Sequence, residues 1–466
     1  MRQTKIIATI GPVTESFEML QKLAENGVNI FRLNFSHGEY SWHEAVIKRI
    51  KKLNRKFPKN LAIMLDTKGP EIRTGDLPQP IVLKKNQKII LTVEHDYDPQ
   101  KKIGVSYDEF INDIEIGKNI LIDNGVMNFK ILEKKKKDII CEVLDSGTLT
   151  SRRHINIPGK EVSLEAITKK DWDDINFGLE MGIDFIALSF VRNGEEIQTL
   201  KKFLEEKNSK IDIIAKVESY EATKNLKKII DVADGIMVAR GDLGAEVPFS
   251  HVPRLQRKMI EMSAIDKKPV IVATHMLESM IKNPIPTRAE VSDISAAVKQ
   301  SADCIMLSGE TAGGSYPIKS VQAMSEIALE TEKDFLVNGN FRDLPVKNNH
   351  EEFCRTAARM IQDLQDAKAI FVITRSGYIA QILSAFRPKC PIFAFTNTPS
   401  VRRKMQILWG VFGFRIDFSS DPEKTIKRAQ TEFLEKYPKW KNKKYILISD
   451  ILVEENFVTN LQIRYL

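Results

Sequence analysis

Eight short apolar runs, each ending in polar or charged residues, set the tightest limit on how this chain can fold. They are KIIATIG from residue 5, NIFRLNFS from 29, LAIMLDT from 61, FIALSFV from 185, IIAKVES from 213, GIMVARG from 235, VIVATHM from 270 and CIMLSGE from 304. Continuous, β-branched and four to eight residues long, such runs read as strands covered on both faces. Successive starts lie 24, 32, 124, 28, 22, 35 and 34 residues apart. Every gap except the third holds one helix and two loops, so the unit is strand, helix, strand. Thr287 and Glu290 supply a capping box before one of those helices. Eight units of this kind are what a closed (β/α)8 barrel requires.

The gap of 124 residues is too long for a loop and predicts an inserted domain. Within it QKIILTVE, NILIDNGVMNFKILE and DIICEVLDSGTL alternate as antiparallel strands do, and Asp123-Asn124-Gly125 supplies turn chemistry. The basic run EKKKKD at 133 to 138 falls between two of these stretches and reads as an exposed hairpin tip. After about residue 336 the pattern restarts, with a helix around CRTAARMIQDL and strands AIFVITRSG, PIFAFT, FRIDF and KYILISD. The predicted fold class is therefore α/β: a (β/α)8 TIM barrel from 1–69 and 159–335, an inserted β-barrel-like lid domain at 70–158, and a C-terminal open α/β domain at 336–466.

Composition removes several classes of function. No run approaches the ~18 apolar residues of a membrane span. The N-terminus MRQTKIIATIGP lacks the apolar core of a signal peptide, so a cytoplasmic protein is expected. Cys141, Cys304, Cys354 and Cys390 show no C-x-x-C spacing and read as buried thiols rather than a zinc or redox site. The net charge of +8 could suggest nucleic acid, but it is spread over 70 basic and 62 acidic residues, and a modest preference for small anions fits the balance equally well. Arg240-Gly241-Asp242 is also an adhesion tripeptide, but it follows an apolar strand in a chain without secretory features.

Function is signalled where the runs end. In a barrel of this kind the C-terminal strand ends form the active-site face. Arg32, Asn34 and Ser36 alternate at spacing two and so share one face of their strand. Lys216 with Glu218, and Arg240 with Asp242, are expected to do the same on the fifth and sixth strands. Other runs end at Asp66-Thr67, at Thr274-His275 and at Ser308-Gly309-Glu310. Glu218 and Asp242, on neighbouring strand ends about 4.8 Å apart, could share one hard divalent cation, best Mg²⁺. Gly241 and Gly244 let backbone approach a ligand, and N–H groups entering the next helix can hold an anion. Lys216 and Arg32 would then face a charged, phosphorylated substrate.

TKIIATIGP, FRLNFSHG, LDTKGPEIRTG, INIPGKEV, IIAKVES, DGIMVARGDLG, VATHMLESMIKNPIPTRAEVSD and IMLSGETAGGSYP follow one another in this chain. In these stretches and their order the sequence resembles the pyruvate kinases along nearly its whole length. The resemblance implies a barrel, a lid inserted after its third strand, a C-terminal regulatory domain and a homotetramer. It implies phosphoryl transfer from phosphoenolpyruvate to ADP, giving ATP and pyruvate, with Mg²⁺ or Mn²⁺ and K⁺ as cofactors. By the same resemblance Glu218 and Asp242 match the divalent-metal ligands, and the amides of Gly241 and Asp242 match those that take the substrate carboxylate. Lys216 and Arg32 match the cations on the transferring phosphoryl group, and Thr274 lies beside the path of the proton that reaches the enolate, most simply through water. Asn34, Ser36, Asp66 and Thr67 match the K⁺ site. Glu71 implies K⁺ dependence, because members with lysine there do without it. Asn34, His37 and Arg73 match nucleotide contacts.

The sequence also departs from the family. Ser219 and His275 replace the usual Asn and Gln, Asn193 replaces a nucleotide-binding Lys, and Asp123-Asn124 replaces Asp-Asp in the lid. Thr374, Ser376 and Gly377 resemble the start of a sugar-phosphate effector loop, but Ile379 stands where a hydroxyl residue is expected. The C-terminal loop is expected at SDILVEENFVTN, where Asp450, Glu454 and Glu455 would repel a bisphosphate, so fructose bisphosphate activation is expected to be weak or absent. The competing readings are a Mg²⁺-dependent aldolase or lyase of 2-oxo acids on the same barrel and a non-catalytic anion-binding or nucleic-acid-binding protein.

Overall fold

A computed structural model describes residues 1–56, 60–123, 125–159, 164–335, 343–364, 366–453 and 456–466. The eight apolar runs form β1 (Lys5–Ile10), β2 (Ile30–Asn34), β3 (Ala62–Asp66), β4 (Phe185–Leu188), β5 (Asp212–Val217), β6 (Gly235–Ala239), β7 (Val270–Ala273) and β8 (Cys304–Leu307). All pair in parallel with their sequence neighbours, and β1 pairs β8 to close the barrel. Their residues are almost wholly buried because helices cover the outside and side chains fill the inside. The capping box forms as expected: Thr287 accepts from the Glu290 N–H, and Glu290 accepts from the Thr287 N–H.

Between β3 and β4 lies a six-stranded sheet, in the order Ile155–Asn156, Asn119–Ile122, Met127–Lys134, Asp138–Val143, Lys88–Thr92, Ile103–Gly104. Its two outer strands are drawn together by one segment, through isolated bridges Arg73↔His154 and Thr74↔Val105. That bridging gives the lid its barrel-like shape around a separate apolar core. The basic run turns between Lys134 and Asp138 as a hairpin tip. Asp123 and Gly125 take the left-handed conformation that the turn requires (φ 58° and 86°), and Asn124 between them lies outside the described residues.

The C-terminal part is a five-stranded sheet of β9 (Ala367–Ile373), β10 (Ile392–Thr396), β11 (Val411–Arg415), β12 (Lys444–Val453) and β13 (Asn456–Tyr465). Its order is β11-β10-β9-β12-β13, parallel except for the last pair. The stretch SDILVEENFVTN, expected as a loop, is instead the antiparallel β12–β13 hairpin, in register to Val453↔Asn456. β-branched and aromatic residues on both arms outweigh the carboxylates as strand determinants. Glu454 and Glu455 and the side chain of Asp450 lie outside the described residues. One face of this sheet shares an apolar cluster with the lower barrel interior, so Ile407, Leu408 and Val411 join Ile7, Ile30 and Ile214. The C-terminal domain is thus the floor of the barrel, and the lid stands over the opposite mouth.

Candidate active site

The C-terminal strand ends bring five charged side chains to one rim. Arg32 on β2 donates through Nε to Asp66 Oδ2 (2.6 Å) and through Nη1 to Thr9 Oγ1 (2.9 Å). Lys216 on β5 donates to Asp66 Oδ1 (3.0 Å) and to Ser189 Oγ (2.6 Å), and it pairs with Glu218 Oε1 at 2.9 Å. Glu218 Oε2 accepts from the Phe190 N–H at 2.7 Å. Ser189 in turn donates to the Thr67 carbonyl at 2.6 Å. Asp66 and Glu218 are about 0 and 1% exposed, and Lys216 8%.

The charges tune one another. Burial alone would raise the Asp66 carboxyl, but Arg32 and Lys216 hold it below its ordinary value. Burial would lower the Lys216 ammonium, yet Asp66 and Glu218 outweigh it and keep Lys216 charged. Glu218 moves the other way: burial pushes it up and Asp242 adds to the push, against the pull of Lys216. Two cations, Arg32 and Lys216, against three carboxylates, Asp66, Glu218 and Asp242, leave the rim one negative charge in excess. A hard divalent cation between Glu218 and Asp242 reverses that sign and lets the rim take an anion. The donor set therefore fits such an ion.

Asp242 reaches the rim by a route the sequence reading missed. Arg240 and Asp242 do not alternate on the sixth strand: β6 stops at Ala239, and both residues belong to the helix Arg240–Glu246. A strand cannot continue there, because Arg240 turns aside to donate to the Thr274 carbonyl (2.7 Å) and to Asp293 (2.8 Å). Arg240 is structural, and Asp242 sits in the first turn of that helix. The Gly241 N–H donates to Thr274 Oγ1 at 2.7 Å, and that hydroxyl donates to the Ala273 carbonyl at 2.7 Å. Thr274 and His275 hold positive φ of 67° and 53°, and Phe190 holds 51°. Three left-handed non-glycine residues at one rim mark strain concentrated at the site.

Asn34 is the register partner of Asp66, and its Oδ1 accepts from the Ser36 N–H at 3.1 Å. Thr67 follows Asp66 directly and its Oγ1 accepts from the Ser189 N–H at 3.0 Å, so these four residues cluster at the ends of β2 and β3. Glu71 accepts from Arg73 Nε at 2.7 Å, at the base of the lid. The His37 carbonyl bonds to the His43 ring at 2.9 Å. Asn193, where a nucleotide-binding lysine was expected, is the N-cap of the helix Gly194–Glu206, with Oδ1 on the Glu196 N–H at 3.1 Å. Thr9 and Ser189 were not singled out from the sequence, although both are polar residues ending apolar strands. His154 and Asn156, which face the rim from the lid, carry no sequence signal of that kind. Thr374, Ser376 and Gly377 lie far from this rim, in the loop after β9, where Thr374 and Ser376 help to line a cavity of about 470 Å³ with Phe418, Ser419 and Ser449. Thr374 Oγ1 accepts from the Gly377 N–H at 2.9 Å, and Gly377 has φ 85°. Among the described residues no cluster of three or more His, Cys, Asp or Glu could hold a metal, and all four cysteines are buried.

Residues 1–321 match the pyruvate kinase barrel-domain model, and residues 351–462 match the pyruvate kinase alpha/beta-domain model. The chain belongs to the pyruvate kinase family. It is 46% identical over 432 residues to pyruvate kinase isozyme G, chloroplastic, of Nicotiana tabacum, covering 92% of this chain and 76% of that protein. It is 41% identical to the pyruvate kinase of Bacillus licheniformis, covering 93% of this chain and 75% of that one. A crystal structure of a pyruvate kinase from Cryptosporidium parvum superimposes with TM-score 0.92 at 36% identity, over 99% of this chain and 96% of that one. The chain is therefore a glycolytic phosphotransferase, making ATP and pyruvate from phosphoenolpyruvate and ADP. The lyase and binding-protein readings fall away. The family generally works with a divalent cation and K⁺. Among the described residues no helix is long and apolar enough to cross a membrane.

Proposed function

We propose that Lys216 and Arg32 receive the phosphoryl group of phosphoenolpyruvate, and that Glu218 and Asp242 hold Mg²⁺ or Mn²⁺ against the substrate. The observation that supports this most is the buried Lys216 ammonium, fixed between Asp66 and Glu218 at 3.0 and 2.9 Å. It is held charged and aimed at the mouth of the barrel, where charge moving between two phosphates must be stabilised by preorganised cations. The bound divalent cation supplies charge neutralisation at the substrate oxygens. Arg32, oriented by Asp66 and Thr9, completes the phosphoryl clamp.

The first turn of the helix Arg240–Glu246 takes the substrate carboxylate on the amides of Gly241 and Asp242. The Gly241 N–H must then leave Thr274 Oγ1, which frees that hydroxyl to order the water that protonates the enolate carbon. Asn34, Ser36, Asp66 and Thr67 hold K⁺, and Asn34, His37 and Arg73 contact the nucleotide as the lid excludes water. Asn193, as a helix cap, leaves one nucleotide contact of the family unmade.

The chain assembles as a homotetramer and works in a reducing compartment, as four buried cysteines suit. That compartment is the cytoplasm, with a plastid the alternative raised by the relatives named chloroplastic. At the cavity lined by Thr374 and Ser376 the apolar Ile379 also lines the wall, which supports a weak or absent response to fructose bisphosphate.

The test is pyruvate formation from phosphoenolpyruvate and ADP with Mg²⁺, with and without K⁺, beside Lys216→Ala and Glu71→Lys. Turnover is expected only with K⁺ in the wild type, in either salt for Glu71→Lys, and in neither for Lys216→Ala. Full turnover of Lys216→Ala would overturn the phosphoryl assignment. K⁺ dependence retained by Glu71→Lys would overturn the reading of Glu71.

A further inference from the structure

The lid reaches the elements that carry both carboxylates assigned to the divalent cation. The Asn156 Nδ2 donates to Glu246 Oε1 at 2.8 Å. Asn156 belongs to the lid strand Ile155–Asn156, paired with Leu121, and is 2% exposed. Glu246 is the last residue of the helix that carries Asp242 in its first turn, and it also accepts from the Tyr220 N–H just beyond Glu218. Two residues before Asn156, the His154 ring meets Phe190 edge-on at 5.7 Å, and the Phe190 N–H holds Glu218. Burial pushes the Glu246 carboxyl up to about 7, and Asp242 adds to the push.

We propose that Asn156 and Glu246 are a positioning pair that makes the placement of Asp242 and its helix N-terminus depend on the seating of the lid. The Asn156 Oδ1 is buried without a partner, beside a cavity of about 60 Å³ lined by Glu246, Ser219 and Arg192. A side-chain hydrogen bond thus links lid and helix here, with space for a small movement around it. A lid that lifts takes Asn156 from Glu246 and releases the seven-residue helix Arg240–Glu246, whose first turn meets the substrate. Substrate on that turn, in reverse, favours the seated lid by the same coupling.

The inference rests on the assignment of Asp242 to the divalent cation and the substrate carboxylate. It is tested on the full chain with Asn156→Ala, Glu246→Gln, the double variant and Asp242→Asn, with the melting temperature of each taken alongside. Removing support one shell behind a ligand costs about 10–100-fold. Asn156→Ala is therefore expected to lower kcat/KM for phosphoenolpyruvate about tenfold and to weaken Mn²⁺ binding, with KM for ADP held within about twofold. Coupled residues give non-additive losses, so the double variant should be no worse than Asn156→Ala alone. Equal losses for both substrates, or losses that add, would assign the pair a merely structural role and overturn the proposal. Unchanged Mn²⁺ binding in Asp242→Asn would instead overturn the metal assignment. Abolished binding there with unchanged kinetics in Asn156→Ala would sink the positioning pair alone.

Discussion

At the scale of single residues, the site is a balance of buried charges in which no member is independent. Lys216 neutralises two carboxylates at once. Removing one partner of such a buried set leaves uncompensated charge and costs about 3–5 kcal/mol. Lys216→Met is therefore expected to lose activity by roughly a thousandfold or more through the lost transition-state cation, and to lower the melting temperature as well, measured by pyruvate release and by thermal unfolding. A variant as stable as the wild type would mean that Asp66 and Glu218 are neutral at rest. Gly69 tests the strain at the rim. It has φ +73°, and a Cβ there would stand 2.7 Å from Ser189 Cβ and 2.9 Å from Phe190 Cδ2. Ser189 is held by Lys216 and Thr67, and Phe190 holds Glu218, so neither can give way. Gly69→Ala should destabilise by more than about 1 kcal/mol and reduce kcat, checked by unfolding and steady-state kinetics.

At the scale of elements, helix starts set the geometry of the rim. Glu290 is worth more than a capping box alone. Beyond Thr287, it accepts from the Ser279 N–H at 2.7 Å and the Ser279 hydroxyl at 2.6 Å, which ties the segment Glu278–Ile281 to the helix Arg288–Lys299. Burial would raise its carboxyl, but these four donors hold it below its ordinary value. A lowered carboxyl contributes stability above its unfolded value near 4.5 and loses it as pH falls through the folded value. Glu290→Ala should thus cost about 1 kcal/mol or more at neutral pH, and the gap from the wild type should close as the pH falls below about 4.5. A gap unchanged down to pH 3 by thermal unfolding would refute the role of the ionised form.

At the scale of the whole molecule, the barrel floor is keyed to the C-terminal domain by charge as well as by the shared apolar cluster. Arg387 pairs with Asp303 at 2.9 Å and Arg403 with Asp184 at 2.8 Å. Beside Asp303 lies Lys5, 2% exposed, donating to the Val411 carbonyl at 2.6 Å with its Nζ 4.3 Å from the Phe412 ring. Burial pushes Lys5 down to about 7, with Arg2 adding to it and Cys304, Glu332 and Asp303 opposing. The unfolded chain then binds this proton more tightly than the folded one between about pH 7 and 10.5, so wild-type stability rises with pH across that window. Lys5→Met has no such dependence. Its stability relative to the wild type should fall as pH rises from 7 to 10, by at most about 1.4 kcal/mol per pH unit. A constant difference in denaturant midpoint over that range would show that Lys5 stays charged in the fold.

Much of the molecule was written in its local pattern. Eight two-sided apolar runs at helix-sized spacing admit little but a closed parallel barrel, and the polar ends of those runs point to Arg32, Asp66, Lys216 and Glu218 before any packing is known. The same rule would have found Thr9 and Ser189. It failed at Asp242, because whether a strand continues or turns into a helix after Ala239 depends on the Thr274 carbonyl and Asp293 being in place to hold Arg240. It failed again at SDILVEENFVTN, whose acidic residues suggest a loop while pairing with a neighbouring strand makes a hairpin. The repeat, the lid insertion and the site chemistry follow from periodicity, which is a local property of the chain. The closing of the lid by residues 73 and 74, the Asn156 to Glu246 link and the keyed floor join residues 31 to 406 positions apart, and only the folded chain can bring such groups within hydrogen-bond reach.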